Sequence, residues 1–140
     1  MLVHATTVDI AGCGVLILGD AGAGKSDLAL RLIADGALLI ADDQTFVEIV
    51  GDRLRATAPA TIVGVMEVRG LGIARAPIKR ATRLRLAVSL VALPTERMPE
   101  SHAWSLPGAP NPRIPLIELN AFEASAREKV RRALTAVLSA

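Results

Sequence analysis

The chain has 140 residues, 51% of them apolar and 21% charged, with a net charge of +2; one domain with a buried core is expected, and no apolar run approaches the roughly 20 residues of a membrane span. With no Tyr, two Phe and one Trp there is little to stack on bases, which argues against nucleic acid as a partner. The lone Cys13 rules out an internal disulfide, and Met1 to Ala5 lack the basic and apolar regions of a secretory signal, so a reducing, cytoplasmic setting is expected.

The chain begins with a β-rich stretch, Leu2 to Ile10, that stops at Gly12-Cys13-Gly14 and turns as a hairpin into the apolar run Val15 to Leu18. Next comes Gly19-Asp20-Ala21-Gly22-Ala23-Gly24-Lys25-Ser26, the pattern of a phosphate-binding loop. Its glycines let backbone amides converge on anionic oxygens, Lys25 reaches the terminal phosphates with its side chain exposed, and the Ser26 hydroxyl is a ligand for Mg²⁺. A helix from about Lys25 to Asp35, stopped by Gly36, adds its positive end to the same place. The short apolar run Ala37 to Ala41 then reads as a buried strand ending in Asp42 and Asp43. Strand, loop, helix and strand predict a βαβ unit with its ligand at the carboxyl ends of the strands, where both carboxylates can reach the metal and the phosphates.

Phe46 to Val50, Gly51-Asp52 and Arg53 to Ala56 predict a β-hairpin leaving the site. Glu67 and Arg69, flanking Val68, would share one side of an extended strand. From Arg69 to Arg85 there are six basic residues and no acid, a surface suited to an acidic partner or simply to water. Thr82 to Leu93 reads as a strand. Pro94 to Pro115 holds six of the eight prolines and is expected as a long irregular loop carrying His102 and Trp104 as surface groups. Ile114 to Leu119 predicts an edge strand that tolerates Pro115. Phe122, Ala126, Val130, Ala133, Leu134, Val137 and Leu138 recur at helical spacing and predict a C-terminal amphipathic helix. The expected fold is α/β: a P-loop-containing kinase domain with a mixed β-sheet, an adjoining β-hairpin and a C-terminal helix, one domain over residues 1–140.

His4, the Gly19 to Ser26 loop, Ile40-Ala41-Asp42-Asp43 and Glu67-Val68-Arg69-Gly70-Leu71-Gly72-Ile73 together resemble the catalytic domain of bacterial HPr kinase/phosphorylase. The last motif is the most specific, and the likeness spans about residues 4 to 73. It implies an ATP- and Mg²⁺-dependent serine kinase acting on HPr or an HPr-like phosphocarrier of a phosphotransferase system, with reversal by inorganic phosphate in many members. By the same resemblance Gly19 to Ser26 would hold the nucleotide, Ser26 and Glu67 the metal, and Asp42 would be the base that takes the seryl proton. His4, Lys25 and Arg97 would complete the active site, and Arg113 would stand in the segment linked to phosphorolysis, where a lysine is common.

The short length resembles the stand-alone kinases of alphaproteobacteria, without the N-terminal regulatory domain of longer members, so the family hexamer is not carried over and the oligomeric state stays open. On the residues alone, a small-molecule or nucleotide kinase of ordinary P-loop type and a non-catalytic nucleotide-binding module are the alternatives. Asp43 could equally cap a turn, and Glu67 and Arg69 could form a structural ion pair. The basic stretch and the proline-rich loop are the expected receivers of a protein substrate.

Overall fold

The structure is a computed structural model that describes residues 1–93 and 102–139. The β-rich start divides at His4 into β1 (Leu2–Val3) and β2 (Ala5–Ile10), and β2 returns through Ala11 and Gly12 as β3 (Cys13–Leu18). Both turn residues have positive φ, 51° and 91°, the two-residue geometry whose twist matches that of the strands it joins. Helix α1 (Lys25–Ala34) ends where Gly36, at φ 105°, donates its amide to the Ile33 carbonyl. Then follow β4 (Leu38–Ala41), β5 (Thr45–Val50), β6 (Arg53–Thr57), a 3-10 turn at Ala60–Ile62, β7 (Val65–Val68), β8 (Gly72–Arg75), β9 (Ala81–Leu90), β10 (His102–Trp104), β11 (Ile114–Leu119) and α2 (Ala126–Ser139). Among the described residues no helix is long and apolar enough to cross a membrane.

The ten residues of β9 are the spine of the sheet. On one side β9 runs parallel to β3, from Gly14 opposite Leu84 to Leu18 opposite Ser89. On the other it pairs antiparallel with β6 over Ala81–Arg83 and then parallel with β11 over Ala87–Leu90. The path reads β1-β5-β6-β9-β3-β2-β4, with β11 and β10 branching from β9 and β7–β8 forming a separate pair. Gly14 lets β3 and β9 approach, since a Cβ there would stand 2.6 Å from Thr82 Cγ2 and 2.7 Å from the Arg83 carbonyl oxygen. The register shifts by one residue between Gly14 and Val15. Leu84 therefore faces one side of the sheet and Leu86 the other.

Alternation along β3 divides the core. Val15 and Ile17 face α1 and α2, against Leu28, Leu32, Val130 and Leu134, while Leu16 faces Val47, Leu54, Ala56 and Leu106. Helices thus cover one face, and the β5–β6 hairpin with the segment around Leu106 covers the other.

This arrangement corrects the expected P-loop kinase domain. A βαβ unit of that kind would set β4 in a mostly parallel sheet with helices on both faces; here β2 stands between β3 and β4 and is antiparallel to each. The physical reason is the burial of β2 along its whole length, Thr6, Thr7 and Asp9 included, which requires a strand on either side. The expected hairpin is present as β5–β6, and it joins the sheet through β6, which is bonded to β9. Within the proline-rich window, His102 and Trp104 form β10, antiparallel to β11, and residues 94–101 lie outside the described residues. The strand β11 is internal rather than an edge, its pairing with β9 beginning at Leu116, one residue past Pro115. Phe122 stands outside α2, whose buried stripe is Ala126, Val130 and Leu134.

Candidate active site

The loop after β3 bends back through Gly22 and Gly24, both left-handed at φ 82° and 99°. At Gly24 a Cβ would lie 2.8 Å from Ala121 Cβ and 2.9 Å from Phe122 Cζ, so conformation and space both require glycine. The loop and the first turn of α1 form one wall of a cleft of about 490 Å³, bounded opposite by Glu67, Val68 and Arg69 of the β7–β8 hairpin and closed at one side by Phe122. Asp42 and Asp43 enter it from the carboxyl end of β4.

Asp42 is the fixed point. Only 8% exposed, its Oδ1 accepts from the Ser26 hydroxyl at 2.6 Å and the Thr6 hydroxyl at 3.1 Å, and its Oδ2 accepts from the Glu67 amide at 3.0 Å. Three elements, α1, β2 and β7, therefore meet on one carboxylate. Thr6 also accepts from the Asp43 amide at 3.0 Å, which holds Asp43 at a positive φ of 66°. The exposed Asp43 carboxylate meets the His4 ring, with Oδ1 2.7 Å from Nε2. His4 reaches it because the chain bends there between β1 and β2, changing partners from β5 to β3 and β4.

Lys25 departs from expectation. It is 6% exposed and folds back over its own loop, donating to the carbonyls of Gly19 at 2.8 Å and Asp20 at 3.2 Å. Glu67 and Arg69 both line the cleft, exposed and without an ion pair to each other. Arg69 stands in the turn after β7.

Arg97 lies outside the described residues. Arg113 stands at the amino end of β11, whereas the carboxyl end of that strand is the one that approaches the loop through Ala121. Of the six basic residues from Arg69 to Arg85, only Arg69 lines the cleft. Arg83 sits opposite Arg55 at the start of β9, while Leu18, which leads into the loop, faces Ser89. At about 3.3 Å per residue that is a separation of roughly 20 Å, so Arg83 is remote from the cleft.

The donor set fits a magnesium nucleotide. Loop amides, a helix amino terminus and a lysine suit phosphate oxygens, and the Ser26 hydroxyl beside the Asp42 carboxylate, with Glu67 on the facing wall, suits a hard cation. Among the described residues no group of three or more His, Cys, Asp or Glu forms a protein cage for a metal; Mg²⁺ characteristically takes one or two carboxylates and completes its shell with phosphate and water.

Two residues that the geometry brings into the site escape a reading of the sequence. Thr6 passes for an ordinary strand former, and its only signal is a polar side chain on a strand that proves to be wholly buried. Phe122 falls in register with Ala126 and Val130 at i+4 and so imitates a core helix position. The contrary signal is Asn120, whose side-chain oxygen accepts the Phe122 amide at 2.8 Å and starts a turn instead.

Comparison with known proteins places the chain in a family. The family model described as the HPr serine kinase C-terminal domain matches residues 1–101. The chain is 37% identical over 123 residues to an HPr kinase/phosphorylase of Burkholderia lata, covering 79% of this chain and 38% of that protein. It is 38% identical over 110 residues to one from Stenotrophomonas maltophilia, covering 73% and 35%. The chain thus spans under two fifths of the length of these curated relatives. The solved HPr(Ser) kinase/phosphatase of Coxiella burnetii superposes with a TM-score of 0.83 at 25% identity, covering 100% of this chain and 99% of that one. The whole-chain match overturns the fold expectation from a second side: the mixed sheet, hairpin and C-terminal helix are that family's own architecture, not the ordinary P-loop kinase fold.

Proposed function

We infer the chemistry from one premise: the chain belongs to the HPr kinase/phosphorylase family, whose C-terminal-domain model it matches over residues 1–101. On our reading residues 1–140 act as a single catalytic domain that transfers the γ-phosphoryl group of ATP to a seryl hydroxyl of an HPr-like phosphocarrier protein. The observation that carries this reading is the convergence of Ser26, Thr6 and the Glu67 amide on Asp42 at the mouth of the glycine loop.

In this mechanism the loop amides and Lys25 bind the phosphates, and Lys25 exchanges its two carbonyl partners for phosphate oxygens. Ser26 and Glu67 would hold Mg²⁺, which would supply positive charge to the phosphates. The seryl oxygen forms a bond to the γ-phosphorus, the bond from that phosphorus to the bridging oxygen breaks, and ADP leaves. Asp42 takes the hydroxyl proton. Thr6 and the Glu67 amide keep the carboxylate aimed while it does so, which is positioning rather than chemistry. Asp43 and His4, paired at the rim, are on this reading the groups that meet the incoming serine. Arg69 is the cation of this wall that can approach the transferred group. The phosphorolytic direction, in which inorganic phosphate accepts the group back, rests on the relatives' names alone.

The test is direct. The chain, Mg²⁺, ATP labelled in its γ position and a purified HPr-like carrier are expected to give phosphoserine on the carrier. Label on a small metabolite, or ATP hydrolysed with no label on the carrier, would overturn the assignment.

A further inference from the structure

We propose that the ring of Phe122 is the platform on which the base of a purine nucleoside triphosphate stacks, an inference that rests on the nucleotide-dependent reading above. Phe122 is 63% exposed in a chain that has only two Phe, one Trp and no Tyr. It is exposed at one particular place, the wall of the cleft beside the glycine loop.

The ring is presented by a braced segment. The Phe122 amide donates to Asn120 Oδ1 at 2.8 Å, and Asn120 Nδ2 donates to the Ala92 carbonyl at 2.8 Å. Arg31 of α1 donates to the Ala121 carbonyl, and the Ala121 side chain is buried in the core beneath. Three polar ties and a buried anchor therefore hold the ring against Gly24, so close that a Cβ at Gly24 would lie 2.9 Å from Phe122 Cζ. The backbone that carries the ring is thus ordered before a ligand arrives, which favours stacking.

The cleft lining mixes acidic and apolar groups, and among the described residues Phe122 is its one aromatic ring. The Glu67 amide is bonded to Asp42, and Phe122, Leu30 and Val68 are the large apolar groups of the lining. Leu30 follows Ser26 by four residues on α1 and so shares its helix face. A triphosphate on the loop and the α1 terminus leaves its nucleoside to one side or the other, and only the Phe122 side offers an uncharged planar partner. Stacking of this kind is tolerant of base identity because every base has a π-face. Larger purines gain more from it than pyrimidines.

Binding of Mg-ATP and of magnesium inorganic triphosphate is measured by calorimetry on the parent chain and on Phe122→Ala and Phe122→Trp, the last in a Trp104→Phe background that leaves one indole. Phe122→Ala is expected to weaken ATP about tenfold, the range of a lost base stack, and to leave triphosphate affinity and the melting temperature unchanged. Phe122→Trp is expected to restore ATP affinity and to show indole quenching by ATP but not by triphosphate. Equal ATP affinity of Phe122→Ala and parent, or a change confined to the carrier's KM, would overturn the proposal while leaving the nucleotide reading intact. A parent chain that binds neither ATP nor triphosphate would instead sink the nucleotide reading, and this inference with it.

Discussion

Two buried aspartates mark opposite ends of the sheet, and they differ in what holds them. Asp9, 3% exposed, accepts from the Thr82 hydroxyl at 2.7 Å, the Gly12 amide at 2.9 Å and the Lys79 ammonium at 3.0 Å. Asp42 also collects three donors, but all are neutral, and among the described residues no cation pairs with it. Burial pushes the Asp9 carboxyl up, yet the bonds from Thr82, Lys79 and the Gly12 amide outweigh it and hold the group below the ordinary aspartate range. A carboxylate tied to a cation is committed as a charge, and its contribution is to the fold. One tied to hydroxyls and an amide at a cleft wall can change partners without breaking an ion pair, which is what a proton acceptor needs.

The largest expected effect comes from Asp42→Asn. Carrier phosphorylation should fall by about two orders of magnitude or more, while ATP affinity measured by calorimetry stays within a few-fold of the parent. An amide can accept at only one of its two positions, so the Glu67 amide loses its partner, but no cation is stranded. Full turnover in this variant would erase the distinction between the two aspartates.

Asp9→Asn should do the converse. It removes a charge-assisted bond and leaves Lys79 unpaired, at a cost of about 2 kcal/mol in urea unfolding, with kcat on the carrier unchanged. The sign of the pH dependence follows from the lowered folded-state value. The stability that Asp9 supplies is full above the ordinary aspartate value of about 3.9 and is lost as pH falls through the lower, folded value. Denaturation followed from pH 5 to pH 2.5 should therefore show a smaller acid loss in Asp9→Asn than in the parent, and parallel curves would contradict the assignment.

Thr6→Val should reduce kcat about tenfold or less with unchanged ATP affinity, and Thr6→Ser should restore it, because the hydroxyl aims Asp42 and pins the Asp43 amide. Loss of stability with no change in kcat would make Thr6 a packing residue only. The smallest effect is expected at the remote end. Arg83→Glu places an acid opposite Arg55 and should add stability of about 0.2–1 kcal/mol, the range of a cross-strand charge pair. The carrier's KM should not move across low and moderate salt; a rise would bring Arg83 into the docking surface despite its distance from the cleft.

Much of the local structure was legible because its causes are local. The glycine loop, the span of α1 with its stop at Gly36, the β5–β6 turn at Gly51 and the strand ending in Asp42 all follow from short-range conformational preference and periodicity. Strand order was not legible, because β2 takes its place between β3 and β4 through burial on both faces, and nothing in the alternation of Leu2 to Ile10 announces neighbours on both sides. The gathering of Ser26, Asp42 and Glu67 was expected from the family's motifs. The inward fold of Lys25 onto Gly19 and Asp20, and the part of Thr6, depend on contacts that exist only once the sheet is assembled. Phe122 was hidden by a spacing that two kinds of structure share.

The reach of β9 also sets an order of assembly. Gly14 meets Leu84 and Arg55 meets Arg83 across it, so the β2–β3 and β5–β6 hairpins, being local, can close early and then stand with open edges until residues 81–90 arrive. Pairing between strands so distant in sequence is slow. During synthesis the delay between Leu18 and Leu90 leaving the ribosome is roughly 4–14 s at ordinary elongation rates. Through that interval the nascent chain displays the apolar backs of both hairpins and their unpaired amides and carbonyls, a template for pairing with other chains. The position of β9 therefore leaves both hairpins with an open edge until residues 81–90 are made.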